Sequence, residues 1–453
     1  MTNHFNIRNT LSSKSFRTIT KASAYKQPLL VLGDQGFRSI STFFTAMLLG
    51  RICDQAEYGL YTLLLTLLVA AEAFQMAMIC SPYVVQIPSK STHQKEIYLG
   101  NTILVQSFMA VSSLAFGLCI LFVFAIHWIR GLPSGMIWGF SAAYLAVLSR
   151  EFLRQVLLAD LKVGWNLLYG ATVHLSILAI SFWLAITGRL NSTIAFLCIA
   201  LCSAIPAFIV LFLKRKHIKF DMRNFRVQLS QDWYIGKWLT AQAAIAVVSG
   251  PLYGWVLAYS KGTATVGLLG ACMLPVSVLS PVVQALNAFL LPKTSHAAQR
   301  SISDVRRIVL LSSITVGLGF LVFPIAIAVF SDVIMKAMFA GKYNPSSWLV
   351  LFFGLRTYII MAFVPFSAGL IACKRSYLTF KSEIISLVLT LLVGLPMTYI
   401  TGVWGVAWGF LLTRLFSRIY MAIAFERHVK ASIAEAGTAE TVNLPSEIAY
   451  IHA

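Results

Sequence analysis

The chain has 453 residues, 58% hydrophobic and only 11% charged, with a mean hydropathy of +0.78, which leaves too little polar surface for a soluble protein of this size. Lys and Arg outnumber Asp and Glu by 36 to 16, for a net charge of +20, but they lie between hydrophobic runs rather than in one patch. That distribution excludes a nucleic-acid-binding surface and makes membrane topology the source of the charge.

Residues 1–27 are rich in Ser, Thr, Lys and Arg and lack the apolar core of a signal peptide, so they read as a basic cytoplasmic tail. Crossing about 30 Å of hydrocarbon takes about 20 apolar residues per helix. Runs of that kind lie near 28–50, 58–84, 98–127, 133–158, 164–187, 191–213, 234–259, 264–291, 306–330, 346–372, 377–400 and 402–425, which predicts about twelve transmembrane helices in an all-α fold. The domain organisation expected from this is a six-helix bundle over 28–213, a basic linker over 214–233, a second six-helix bundle over 234–426 and a cytoplasmic tail over 427–453. Alternate connections collect the basic residues, among them Lys90, Lys95, Arg150, Arg154, Lys162, Lys214 to Lys219, Lys293 to Arg307, and Lys374 to Lys381. By the positive-inside bias that set, with both termini, faces the cytoplasm.

The first span carries Asp34, Arg38, Ser41 and Thr45 at i, i+4, i+7 and i+11, which stacks them on one face. An ionised residue at membrane depth costs about 2.5–3.5 kcal/mol on insertion scales, so this face turns to a bundle interior or a wet cavity. Asp34 and Arg38, one turn apart, form either an internal ion pair or part of a polar lumen. The second span adds Glu72 and Gln75. The fourth ends in Arg150-Glu151-Phe152-Leu153-Arg154, whose two arginines stand one turn apart at a cytoplasmic mouth, as phosphate-binding forks or as plain topological signals. In the eighth, Ser277, Ser280, Gln284 and Asn287 share a face beside Pro275 and Pro281, fit either for substrate or for interhelical hydrogen bonds. Arg356 lies deep in its run, whereas Arg414 and Arg418 read as snorkelling to an interface and Glu383 as interfacial. The seven cysteines are scattered and show no ligand spacing, so neither a disulfide, a metal nor another cofactor is expected.

The halves show weak internal similarity: Glu57-Tyr58-Gly59-Leu60-Tyr61 follows the first span as Thr265-Val266-Gly267-Leu268-Leu269 follows the seventh. A parallel repeat of six helices fits this, and in such transporters the substrate site lies between the halves.

Gly33-Asp34-Gln35, Gly50-Arg51, Glu57 to Tyr61, and Arg150-Glu151-Phe152 with Arg154 and Lys162 resemble polysaccharide exporters of the multidrug/oligosaccharidyl-lipid/polysaccharide (MOP) flippase superfamily. The resemblance implies a V-shaped pair of helical bundles around a cationic cavity and the flipping of a polyprenyl-pyrophosphate-linked oligosaccharide outward for surface polysaccharide assembly. Membrane lipids and other polysaccharide-assembly proteins are the partners it implies. Many relatives carry an acidic residue in the seventh span where this chain has Ser249-Gly250-Pro251-Leu252, so the coupling ion, H+ or Na+, stays open. On this reading Arg38 and Arg356 neutralise pyrophosphate, Arg150 and Arg154 receive it, Gln75, Gln284 and Asn287 meet sugar hydroxyls, and Asp34 and Glu72 complete the cavity. A drug/cation antiporter on the same fold would want carboxylates dominating the cavity. A membrane glycan polymerase or ligase would want a large outside loop, and the longest here is about Ser331 to Pro345.

Overall fold

The computed structural model describes Leu30 and residues 32–127, 133–160, 162–223, 225–343 and 347–442. The basic tail read at 1–27 and the last part of the C-terminal tail, 443–453, lie outside the described residues. Every regular element among those described is helical. α1 covers 32–52, and α2 (Gln55–Gln86) passes through a π-helical turn at Met76–Cys80. Then come α3 (Thr92–His127), α4 (Ser134–Ala159), α5 (Val163–Ile186), α6 (Ser192–Lys214) and α7 (Phe225–Lys261), the last broken at Gly250 and Pro251. α8 (Thr263–Ser277) and α9 (Ser280–Ala298) meet at a bend of 49°. α10 (Ile302–Val329), the short α11 (Ser331–Phe339), α12 (Ser347–Ala372), α13 (Ser376–Thr401) and α14 (Val403–Val442) complete the chain.

Among the described residues nine helices are long and apolar enough to cross a membrane, and the bent pair α8 and α9 makes a tenth. The two further spans that complete the expected twelve are α1 and α4, helical but carrying Asp34 and Arg38, and Arg150, Glu151 and Arg154. The spans with the weakest hydropathy are therefore the ones that hold the charge.

Helix α7 starts at Phe225, earlier than the apolar run at 234–259 indicates. Its first turns are held by polar contacts to α3 rather than by hydropathy: Gln228 Nε2 donates to Thr102 Oγ1 at 3.2 Å, and Tyr98 donates its hydroxyl to Asp232 at 2.6 Å.

The chain divides into two compact units, one running to Cys53 and from Leu64 to Ala241, the other comprising Asp54–Leu63 and Gln242 onward. In the first, Tyr83, Tyr98, Phe152, Leu153 and Val156 build a core across α2, α3 and α4, with Tyr83 and Tyr98 stacked at 5.5 Å. In the second, Val305, Val309, Phe366, Leu370, Met421 and Phe425 pack α10, α12 and α14 together. Each unit leaves large apolar side chains on its surface, such as Phe108, Phe116, Trp183 and Phe208 in the first and Leu318 and Val322 in the second. Leaving such area in water forfeits about 25 cal/mol per Å², whereas lipid tails accept it. The protein is a multi-pass membrane protein.

The repeated sequence motif has a packing consequence inside the second unit. A β-carbon on Gly59 would strike the carbonyl of Thr263, and one on Gly267 would strike that of Gln55. Thr263 is four residues before Gly267 and Gln55 four before Gly59, so the two copies of the motif meet each other reciprocally. Backbones this close require glycine at both positions.

Candidate functional site

In the first unit six charged side chains from α1, α2 and α4 form an alternating chain. Asp34 Oδ2 accepts from Arg154 Nη1 at 3.1 Å. Arg154 grips Glu151 with Nε at 2.9 Å and Nη2 at 2.5 Å. Glu151 also accepts from Arg38 Nη1 at 3.4 Å, and Arg38 Nη2 reaches Glu72 at 2.5 Å. Glu72 finally accepts from Arg150 Nη2 at 3.4 Å, while Arg150 Nη1 donates to Ser203 at 3.4 Å. Three guanidinium groups thus face three carboxylates, and the set is formally neutral.

Neutrality is what lets these groups sit inside the unit. A buried ion costs several kcal/mol of desolvation, which its partner repays only with good geometry and further hydrogen bonds. Those further bonds are present: Asn166 Nδ2 donates to Asp34 at 3.3 Å and Gln155 Nε2 to Glu151 at 3.2 Å. Gly170 on α5 makes room, since a β-carbon there would collide with the Asp34 carboxylate. Ser41 and Thr45, the rest of the α1 stripe, are buried as the spacing predicts.

Two expectations are corrected. Asp34 and Arg38 do not form a pair of their own; each reaches across to another helix, Asp34 to Arg154 and Arg38 to Glu72 and Glu151, because the opposite charges on α2 and α4 stand closer in space than one turn along α1. Arg150 and Arg154 are not open at a mouth but buried, since Glu151 between them and Asp34 and Glu72 opposite draw them inward. Arg38 is the reachable cation of the set: 33% of its side chain is exposed, against 7% for Arg150 and 11% for Arg154. Gln75 is buried beside this network, its Nε2 donating to the Leu148 carbonyl at 2.6 Å while its Oε1 has no partner among the described residues.

In the second unit Arg356 lines a cavity of 390 Å³ together with Ser277, Ser280, Gln284 and Thr357. Its guanidinium lies 4.5 Å from the centre of the Phe410 ring, its buried Nε has no hydrogen-bond partner, and no carboxylate pairs with it among the described residues. Arg414 and Arg418 lie near enough to repel it. Those two share Glu383, at 3.0 and 3.3 Å. Each of these two arginines finds its counter-charge one helix away on α13. Three arginines against one glutamate leave this cluster with two surplus positive charges. Asn287 does not join it; it is exposed and its Nδ2 donates to the Val283 carbonyl on its own helix at 3.0 Å.

The residue that sequence reasoning passed over is Glu151, the carboxylate to which both Arg38 and Arg154 bind. Its signal was its place between two arginines in a membrane span, where a lone acid needs a partner. Asn166 and Gln155 gave no signal, since nothing in the sequence shows that they point at Asp34 and Glu151. Among the described residues no disulfide joins any two cysteines.

The same fold is found in solved structures of MOP superfamily transporters. The chain is similar to an inward-facing multidrug-resistance transporter of the MATE family, with a TM-score of 0.72 at 14% identity over 87% of this chain and 94% of that one. It is also similar to the lipid II flippase MurJ in an inward closed conformation, with a TM-score of 0.67 at 13% identity over 92% and 93% of the two chains. A MOP superfamily transporter from Pyrococcus furiosus gives a TM-score of 0.61 at 13% identity over 89% and 95%. No family model matches the sequence, and no curated protein matches it. At these identities the likeness is one of fold.

Proposed function

We propose that the protein is a transporter that flips a polyprenyl-pyrophosphate-linked oligosaccharide from the cytoplasmic to the outer leaflet of a bacterial inner membrane, for surface polysaccharide assembly, with both termini cytoplasmic. A sugar-pyrophosphate headgroup does not cross hydrocarbon unaided; it needs positive charge for its phosphates and hydrogen-bonding groups for its sugars, while the polyprenyl tail stays in lipid. The observation that carries the reading is Arg356, a cation without a carboxylate partner among the described residues, beside hydroxyl and amide groups in a cavity. A cation antiporter would need the opposite. Here Asp34, Glu72, Glu151 and Glu383 are each engaged by arginine, so none of them is left for a cationic substrate.

Arg356→Gln and Arg356→Lys test this. Depletion of the protein is expected to make a lipid-linked glycan accumulate on the inner leaflet, with Arg356→Gln reproducing the accumulation at normal membrane abundance. Arg356→Lys is expected to fall between, because it keeps the charge and loses the planar fork. Normal glycan export by a correctly inserted Arg356→Gln protein would remove the reading.

A further inference from the structure

A second and larger cavity, of 1120 Å³, lies wholly within the first unit and is separate from both arginine clusters. Its walls are apolar and run along the helices: Ile87 from the turn just after α2, Leu99 from α3, Leu157 from α4, Leu168 from α5, and Ile209 and Leu213 from α6. Its rim is different. It is made where the chain reverses between α2 and α3, between α4 and α5, and after α6, which puts all three reversals at one end of the bundle. Lys95, Lys162, Lys214 and His217 stand on that rim with Glu96 and Asp160.

The rim carboxylates are already occupied. Asp160 holds Lys214 at 2.5 Å, and Glu96 holds His217 at 2.9 Å and Lys219 at 2.7 Å. Lys95 and Lys162 are left with no carboxylate partner among the described residues. The volume also exceeds the range of about 300–1,000 Å³ that serves drug-sized ligands. A long apolar trough with two free cations at its membrane-surface end is complementary to an amphiphile with an anionic head.

We propose that this trough is a binding site for an anionic phospholipid of the adjoining leaflet, with acyl chains against Leu157, Leu168 and Leu213 and the phosphate on Lys95 and Lys162. A zwitterionic lipid would bring its own ammonium group to the same lysines and gain less. The site does not depend on what the protein transports.

Trp165, exposed on the cavity wall, reports occupancy. The protein is reconstituted in phosphatidylcholine nanodiscs containing small amounts of acyl-brominated phosphatidylglycerol or acyl-brominated phosphatidylcholine. Quenching of Trp165 is taken as the difference between the parent and Trp165→Phe. Brominated phosphatidylglycerol is expected to quench at lower mole fraction. The double change Lys95→Gln with Lys162→Gln should raise the mole fraction needed by roughly 30-fold, about fivefold for each lysine facing an anionic lipid. Lys95→Arg with Lys162→Arg keeps both charges and should keep the preference; inorganic phosphate should not relieve the quenching. Equal quenching by the two lipids, a preference that survives neutralisation of both lysines, or relief by inorganic phosphate would each overturn the proposal. If the double glutamine variant does not fold, the single changes carry the same comparison with a smaller shift.

Discussion

Glu151→Gln is the sharpest test of the charged chain in the first unit. The change keeps the side-chain shape and removes one charge from a carboxylate that accepts two bonds from Arg154 and one from Arg38. Arg154 would keep only Asp34, and Arg38 only Glu72. Breaking one partner of a buried pair costs about 3–5 kcal/mol, because the remaining charge stays desolvated. With an unfolding entropy of about 2.1 cal/mol/K per residue, 453 residues lose about 1 °C for each kcal/mol, so a drop of about 3–5 °C in melting temperature is expected. Five buried cysteine thiols supply the readout, since a maleimide dye reacts with them only as the helices part. Arg154→Gln alone should cost a similar amount. The double variant should cost at least about 2 kcal/mol less than the sum, as contacting residues in one network do. A Glu151→Gln protein that melts within 1 °C of the parent, or a strictly additive double variant, would refute the account of these six residues as one mutually compensating set.

Gly170→Ala should push the Asp34 carboxylate off Arg154 and cost about 1–3 kcal/mol, a loss that shrinks in an Asp34→Ala background; equal losses in both backgrounds would mean that Gly170 packs against something else. Glu383→Gln leaves Arg414 and Arg418 without their shared counter-charge beside Arg356, so membrane abundance should fall and partly recover with Arg418→Gln; an unchanged abundance would show these arginines to be solvated. For topology, Arg189→Cys should react with an impermeant maleimide from outside the cell and Lys216→Cys should not; the reverse pattern would invert the orientation.

What the sequence disclosed and what it hid follow from the range of the interactions involved. The polar stripe of α1 is a property of one helix, and i, i+4, i+7 spacing reveals it; Asp34, Ser41 and Thr45 are buried accordingly. The choice of partner is not local. Asp34 is 120 residues from Arg154 and Arg38 is 113 from Glu151, so helical periodicity could identify groups that need a counter-charge but not which one each receives. The same holds for Glu383, whose partners Arg414 and Arg418 lie 31 and 35 residues away on α14. The start of α7 was hidden for another reason. Hydropathy finds the lipid-crossing portion of a helix, and the turns of α7 before residue 234 are fixed by hydrogen bonds to α3 instead.

The two arginine clusters place different demands on an anion. In the first unit a phosphate that approaches Arg38 meets a guanidinium already held by Glu72 and Glu151, so binding there requires Arg38 to release a carboxylate. Glu72 would then keep Arg150, its partner at 3.4 Å, and would not be stranded. Glu151 would likewise keep Arg154. Of the three cations in the set, Arg38 and Arg150 can each depart and leave every carboxylate with a partner, and of these two Arg38 is the exposed one, 33% against 7%. Arg356 needs no such exchange, because no carboxylate among the described residues holds it. On the proposed reading Arg356 attracts the pyrophosphate whenever its cavity is open, and Arg38 binds it only when the anion outcompetes Glu72. The affinity contributed by Arg38 should then rise when Glu72 is neutralised, which makes Glu72→Gln a change that tightens binding of a pyrophosphate headgroup while weakening the fold.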